Sequence, residues 1–142
     1  MRKRELPTLL IVDNDAGSTE ALQHTINHDG DDNEGVRAIT AHSGDEALHI
    51  IRGESVAGVL DNICMPQMDG WQLHEALAHE APDIPVALMS AIKPETGATH
   101  NKNVSILAKP FNINALFNVI EALVFEHMER ACAHAIIELR AA

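Results

Sequence analysis

Polar side chains capable of binding ions follow four short apolar segments of the sequence. These side chains are Asp13-Asn14-Asp15, Asp61-Asn62, Ser90 and Lys109. Carboxylate and amide oxygens bind hard cations such as Mg²⁺, a hydroxyl donates a hydrogen bond, and a lysine pairs with an anion. If the fold gathers these groups at one place, the sequence predicts a polar pocket suited to a cation and an anionic group.

The segments that carry these residues alternate between strand-like and helix-like patterns. Apolar runs such as Leu9–Val12 are typical of strands buried on both faces of a parallel sheet. Segments with helical spacing lie between them, and Ser43 with Glu46 has the spacing of a capping box. We predict an α/β fold, a doubly wound five-stranded parallel sheet, with strands at 9–12, 36–41, 56–62, 84–89 and 104–108. The carboxyl ends of these strands share one edge, where the polar residues converge.

Composition narrows the class of protein. The 142 residues suit one domain, and a net charge of −11 argues against direct binding of nucleic acid. No apolar run is long enough to span a membrane, and the run at Leu9–Val12 is too short for a signal peptide. We therefore expect a cytoplasmic protein that binds neither nucleic acid nor membrane. Cys64 and Cys132 lie in apolar contexts, and we expect both to be reduced thiols in the core.

Five motifs in order resemble the receiver domain of bacterial response regulators, which has a flavodoxin-like fold. The motifs are Leu-Leu-Ile-Val-Asp13-Asn14-Asp15, Ser43-Gly44-Asp45-Glu46-Ala47-Leu48, Met65-Pro66-Gln67-Met68-Asp69-Gly70, Met89-Ser90-Ala91 and Ala108-Lys109-Pro110-Phe111. The resemblance covers roughly residues 8–126. It implies two-component (phosphorelay) signal transduction, a histidine kinase or another signalling protein as partner, and no enzymatic function. We predict a receiver domain at 1–126 and a helical extension at 127–142 that continues the last helix of the domain.

The resemblance also implies roles for individual positions. Asn62, four residues before Pro66, stands at the phosphoacceptor position, where the family has an aspartate. The acidic pocket consists of Asp13, Asn14 and Asp15, Ser90 is the phosphoryl-sensing position, Lys109 the pocket lysine, and Ile106 the switch position. An uncharged, delocalised amide is a poor nucleophile, so we predict a pseudo-receiver that acts without phosphorylation through protein–protein interaction. With two family carboxylates replaced by Asn14 and Asn62, we predict at most a weak Mg²⁺ site, for which Asp13 is the candidate ligand.

A second interpretation makes Asp61 an active phosphoacceptor. Successive side chains of a strand point to opposite faces, so a regular strand directs Asp61 away from the pocket that receives Asn62. A bulge of one residue exchanges the two positions. Without a bulge, we expect Asp61 to be a strand-end acid hydrogen-bonded to a neighbouring loop.

Two further segments are predicted to bind partners. The polar stretch from Lys93 to Asn103 stands where the family has its fourth helix and predicts a short or irregular helix. Near the C-terminus, Phe125, Met128, Cys132, Ala135 and Leu139 recur at heptad spacing and predict an apolar seam for a second copy of the chain. A frayed helix, or one folded back on its own domain, is the alternative. Since no output domain follows in the sequence, we expect a stand-alone receiver.

Overall fold

The computed structural model describes residues 6–29, 35–63, 69–90 and 105–141. It contains a parallel sheet of five strands in the order β2-β1-β3-β4-β5. The strands are β1 Thr8–Val12, β2 Arg37–Ala41, β3 Gly58–Asn62, β4 Val86–Ser90 and β5 Ser105–Ala108. The helices are α1 Ala16–Asp29, α2 Gly44–Gly53, α3 Gly70–Glu80 and α4 Ile113–Ala141. The predicted fold class, a doubly wound sheet with a long C-terminal helix, is confirmed.

The sheet separates two apolar cores because alternate residues of each strand face opposite sides. One core contains Leu9, Ile11, Leu60 and Met89 together with residues of α1 and α4. The other contains Leu10, Val12, Val59 and Leu88 together with residues of α2 and α3. Burial on both faces explains why these strands have continuous apolar sequences.

The start of α3 packs tightly against the end of β3. A Cβ atom added to Gly70 would lie 2.9 Å from the Cα of Ile63 and 3.0 Å from the carbonyl oxygen of Asn62. Glycine at position 70 thus permits a close approach that any side chain would block. Asp69 caps the helix, and its capping box with Gln72 fixes the direction in which α3 leaves the sheet.

Three local predictions need correction. Ser43 caps α2 by accepting a hydrogen bond from the Glu46 amide, but the Glu46 carboxylate accepts from the amide of His42, one residue before the cap. The capping box predicted there is therefore only half formed. Cys132 is exposed and is not a core thiol, because it lies where α4 has left the globular part of the fold. The helical spacing of Ile113 with the apolar residues that follow it predicts that Ile113 covers the sheet, yet it is 53% exposed in the first turn of α4.

The last helix contacts the globular part over about its first two thirds. Its buried residues Leu116, Ile120 and Leu123 face the sheet. Farther along, Nδ1 of His127 lies 3.0 Å from the carbonyl oxygen of Asp83, and Arg130 donates to the carbonyl of Pro82 at 2.8 Å. In the parts of the chain that the structure describes, no helix is long and apolar enough to cross a membrane. The predicted fourth helix at 93–103 and Cys64 lie outside these parts.

Candidate functional site

A polar cluster of three side chains occupies the carboxyl edge of the sheet. Asn62 lies at its centre and donates from Nδ2 to Oδ1 of Asp13 at 3.3 Å. The ammonium group of Lys109 donates to Oδ1 of Asn62 at 3.3 Å and lies 3.9 Å from Oδ2 of Asp13. The Asn62 amide thus donates to the carboxylate through its nitrogen and accepts from the ammonium group through its oxygen. One neutral side chain therefore hydrogen-bonds to both charged groups.

Strand register brings these residues together. Asp61 pairs with Val12 of β1 and with Leu88 of β4, so Asn62 and Asp13 follow these pairs at the same edge. Lys109 directly follows β5, and its amide donates to the carbonyl of Ser90 at 2.7 Å. This bond joins the ends of β4 and β5 and holds the lysine backbone at the edge, where its side chain reaches Asn62. The Lys109–Pro110 peptide bond is cis.

Asp13 is almost fully buried, with an exposed fraction of 2%. Its Oδ1 accepts a second hydrogen bond, from the amide of Asp15 at 3.1 Å. A buried carboxylate is tolerated only when it is paired and hydrogen-bonded, and Asp13 has a cation and two donors. The charge of the buried Asp13 carboxylate is therefore both paired and hydrogen-bonded within the cluster.

Asp15 is committed to the start of α1. Its two oxygens accept from the amide of Gly17 at 3.0 Å and from the hydroxyl of Ser18 at 3.0 Å. These bonds, the Ser18 hydroxyl first, lower the pKa of the Asp15 carboxyl from its ordinary value. Asp15 is thus a helix cap, and Asn14, the other member of the predicted acidic pocket, is exposed.

The donor set does not fit a resident Mg²⁺ ion. Such an ion takes six oxygen ligands, usually with one or two carboxylates among them. Asp13 has both oxygens turned toward groups of the cluster, Asp15 caps α1, and the amide oxygen of Asn62 accepts from Lys109. Within the described residues, no three side chains of His, Cys, Asp or Glu lie together as a metal site.

Asp61 lies on the opposite face of the sheet from this cluster. It has no exposed surface, and neither carboxylate oxygen has a hydrogen-bond partner among the described residues. Its strand neighbours Val12 and Leu88 belong to the core under α2 and α3. Burial, followed by the nearby charges of Asp69 and Asp13, raises the pKa of the Asp61 carboxyl well above its ordinary value. The expected hydrogen bond between Asp61 and a neighbouring loop is absent within these residues, and β3 has no bulge at this point.

The remaining predicted positions lie near the cluster or far from it. Ser90 is buried at the end of β4, and Ile106 is half-buried on β5 beside Leu88. The predicted seam is remote from the pocket, on α4, and its members are exposed: Phe125, Met128, Cys132, Ala135 and Leu139. The structure thus brings together Asp13, Asn62 and Lys109, with Ser90 at the same edge.

The sequence motifs do not predict one polar contact of the structure, between Thr19 and His42. Thr19 is fully buried on α1, and its hydroxyl donates to the carbonyl of Ala16 at 2.9 Å and lies 3.4 Å from Nε2 of His42. The contact ties α1 to the residue that follows β2. No motif marks it, and only the placement of Thr19 among the inward positions of α1 could have indicated it.

The strand order and the polar carboxyl edge together define a doubly wound α/β protein of the flavodoxin-like class. Residues 9–121 match the family model described as the response regulator receiver domain, so the chain belongs to that family. The chain is 33% identical to the transcriptional regulatory protein GlrR of Escherichia coli K12, over 80% of this chain and 25% of that protein. It is 29% identical to the response regulator protein FleR of Pseudomonas aeruginosa, over 79% of this chain and 23% of that protein.

Solved structures support the same fold. The chemotaxis protein CheY4 of Vibrio cholerae superimposes with a TM-score of 0.73 at 20% identity, covering 83% of this chain and 98% of that one. A likeness at this identity shows the fold alone. The chain spans about a quarter of the length of the two curated relatives. Its family membership places it in two-component signalling, whose receiver domains interact with histidine kinases or other signalling proteins.

Proposed function

We propose that this receiver domain signals without accepting phosphate, through protein–protein interaction, and that Asn62 stands at the phosphoacceptor position. The observation that carries the proposal is the bridging amide, which joins Asp13 to Lys109. An aspartate at position 62 would present a carboxylate to the buried carboxylate of Asp13. The amide removes that repulsion, so the cluster is stable with neither a divalent cation nor a phosphoryl group.

The chemistry of the amide supports the same conclusion. Its nitrogen lone pair is delocalised into the carbonyl, and its oxygen is uncharged, so attack on phosphorus is slow. In this arrangement Lys109 already has two oxygen partners, at 3.3 Å and 3.9 Å. Asp13, Asn62 and Lys109 therefore act as a fixed polar cluster that holds the ends of β1, β3 and β5 in one conformation.

The partner in this proposal is a histidine kinase or another regulator of the same signalling class. The receiver surface recognises it in a single, phosphate-independent conformation, and any output passes through the complex. GlrR and FleR carry regulatory names that describe those much longer proteins. For the present chain we propose only the interaction role of the receiver.

Intact-mass spectrometry after incubation with acetyl phosphate and Mg²⁺ tests the proposal. We expect no gain of a phosphoryl group by the wild-type chain, and a gain by the Asn62→Asp variant, which restores a nucleophile beside Lys109. The matched control is the double variant Asp61→Asn/Asn62→Asp, which should be phosphorylated as efficiently as Asn62→Asp.

A phosphorylated wild-type chain would overturn the proposal. If that phosphoryl group were lost in the Asp61→Asn variant, Asp61 would be the acceptor and β3 would have to shift by one residue. If it persisted in that variant, the acceptor would lie elsewhere in the chain. Urea denaturation of each variant confirms that the chains compared are folded.

A further inference from the structure

From Phe125 onward, α4 exposes an apolar surface. Phe125, Met128 and Leu139 are 63%, 62% and 76% exposed. Cys132 and Ala135, which are also exposed, lie between them at spacings of three and four residues. These five residues are called the C-terminal seam. Apolar side chains of this size rarely form a contiguous exposed stripe unless another molecule covers it.

The seam points away from its own domain. At about 100° per residue, the seam is rotated by roughly 130° from the stripe of Leu116, Ile120 and Leu123 that faces the sheet. His127 and Arg130 make the last described hydrogen bonds between α4 and the globular part, from the opposite side of the helix. Folding back on its own domain would require α4 to break these bonds, so the seam needs a separate partner.

We infer that a second copy of the chain covers the C-terminal seam, with the two α4 helices packed antiparallel. Apolar residues that recur at alternating spacings of three and four pack against a helix with the same repeat, and α4 of a second copy has that repeat. With side-chain areas on the order of 150–200 Å², the exposed parts of the seam and the adjoining Ile136 bury roughly 1,000 Å² in a pair. This area lies at the lower limit for a specific interface, so the dimer forms in the micromolar range or weaker.

The charge distribution favours this occupant and this direction. Residues 125–142 carry three glutamates and two arginines, whereas the whole chain has a net charge of −11. The acidic bodies repel each other, and antiparallel helices place them at opposite ends of the pair. On one flank of the seam, Glu129 lies toward the N-terminal end and Arg140 toward the C-terminal end. Reversing the second helix therefore brings Glu129 beside Arg140 of the partner subunit.

The sizes of the seam residues agree with this direction. Antiparallel packing sets Met128 opposite Leu139 of the partner subunit, and Cys132 opposite Ala135 of the partner subunit. Each of these two kinds of layer combines side chains of similar volume, and Phe125 lies beyond them at each end of the contact. In a parallel pair, two Phe125 rings would meet in one layer and two Ala135 side chains in another, which packs less evenly.

Sedimentation equilibrium over a range of chain concentrations measures the association. We expect the wild-type chain to move from monomer to dimer, and the Met128→Glu/Leu139→Glu variant to associate about 100-fold more weakly because it places carboxylates in the apolar contact. The matched control is Ala133→Glu/Ile137→Glu, which adds the same charge at exposed positions off the seam. The control should associate as the wild-type chain does.

Two results would overturn the inference: a wild-type chain that stays monomeric at every concentration, or equal weakening by both double variants. The four positions substituted in the two double variants are exposed, so we expect both variants to keep the globular fold. Circular dichroism measures whether they do. The association does not depend on Asn62. If the dimer does not form, the proposed signalling mode is unaffected. If the wild-type chain is phosphorylated, the inferred dimer is unaffected.

Disulfide trapping measures the direction of the helices in a Cys132→Ala background. We expect a mixture of Met128→Cys and Leu139→Cys chains to form a covalent heterodimer on mild oxidation. The Leu139→Cys chain alone should stay reduced, because in the antiparallel register the two copies of position 139 lie about 16 Å apart along the axis. Rapid self-crosslinking of the Leu139→Cys chain would contradict antiparallel packing.

Discussion

Asp61 and Asn62 are neighbours on β3, but their side chains lie on opposite faces of the sheet and in opposite surroundings. Asn62 lies between a carboxylate and an ammonium group and hydrogen-bonds to both. Asp61 has no exposed surface and no hydrogen-bond partner among the described residues. The acid therefore lies beside the apolar core under α2 and α3, and the neutral amide lies in the polar cluster at the carboxyl edge of the sheet.

This difference shows how environment, more than side-chain type, decides what a polar residue does. In the polar cluster, one amide stabilises two buried or half-buried charges. On the other face, burial and two like charges raise the pKa of the Asp61 carboxyl, so the proton is retained to a higher pH. Under the proposed signalling mode, neither member of the pair serves as a phosphoacceptor, because the acid is enclosed and the partly exposed member is an amide.

Replacing Asp61 should give the largest change in stability. The Asp61→Val variant removes a carboxyl that has no hydrogen-bond partner in the described parts of the chain, and it buries a β-branched side chain beside its strand neighbours Val12 and Leu88. We expect the free energy of unfolding at neutral pH to rise by about 2–4 kcal/mol. Urea denaturation followed by circular dichroism measures it, and an unchanged or lower midpoint would show that Asp61 has a compensating partner.

Replacing Asn62, the next residue of β3, by valine should lower the stability of the chain. Asn62→Val removes the donor to Asp13 and the acceptor from Lys109, and leaves a buried carboxylate with fewer partners. We expect the free energy of unfolding to fall by about 1–3 kcal/mol. The Asp61→Val variant is its matched control, because both exchanges introduce valine at adjacent positions of β3. A gain in stability in both variants would remove the contrast between the two faces.

Much of this contrast could be predicted from the sequence. Alternation along a regular strand separates Asp61 from the pocket, and the shared direction of the strands places Asp13, Asn62 and Lys109 at one edge. These inferences depend on local periodicity and on the shared direction of parallel strands. Both are properties that a single sequence carries.

Other features depend on contacts that no local pattern specifies. The absence of a partner for the Asp61 carboxyl among the described residues depends on its burial beside Val12 and Leu88, in the core that also contains residues of α2 and α3. The bond from the His42 amide to Glu46 depends on how the chain turns out of β2, one residue before the expected cap. Cys132 looked like a core residue because its apolar neighbours do not reveal where α4 passes the edge of its domain.

The pH dependence of stability, which changes by a small amount per pH unit, gives the most specific test of the Asp61 environment. Below the ordinary pKa of 3.8, Asp61 is protonated in the folded and unfolded states, so it adds no dependence on pH. Above 3.8 and up to the raised pKa, the folded state holds a proton that the unfolded state has lost. The free energy of unfolding therefore falls as the pH rises, by at most about 1.4 kcal/mol per pH unit.

The Asp61→Asn variant isolates this contribution, because an amide of nearly the same shape does not titrate. We expect the stability advantage of Asp61→Asn over the wild-type chain to grow from pH 4 upward and to level off above the raised pKa. Asp15 and Glu80 have lowered pKa values and act in the opposite sense, but they are present in both chains and cancel in the difference. Denaturant midpoints at a series of pH values give the two curves. Parallel curves would mean that the Asp61 carboxyl titrates alike in both states, which is incompatible with a buried acid that lacks a partner.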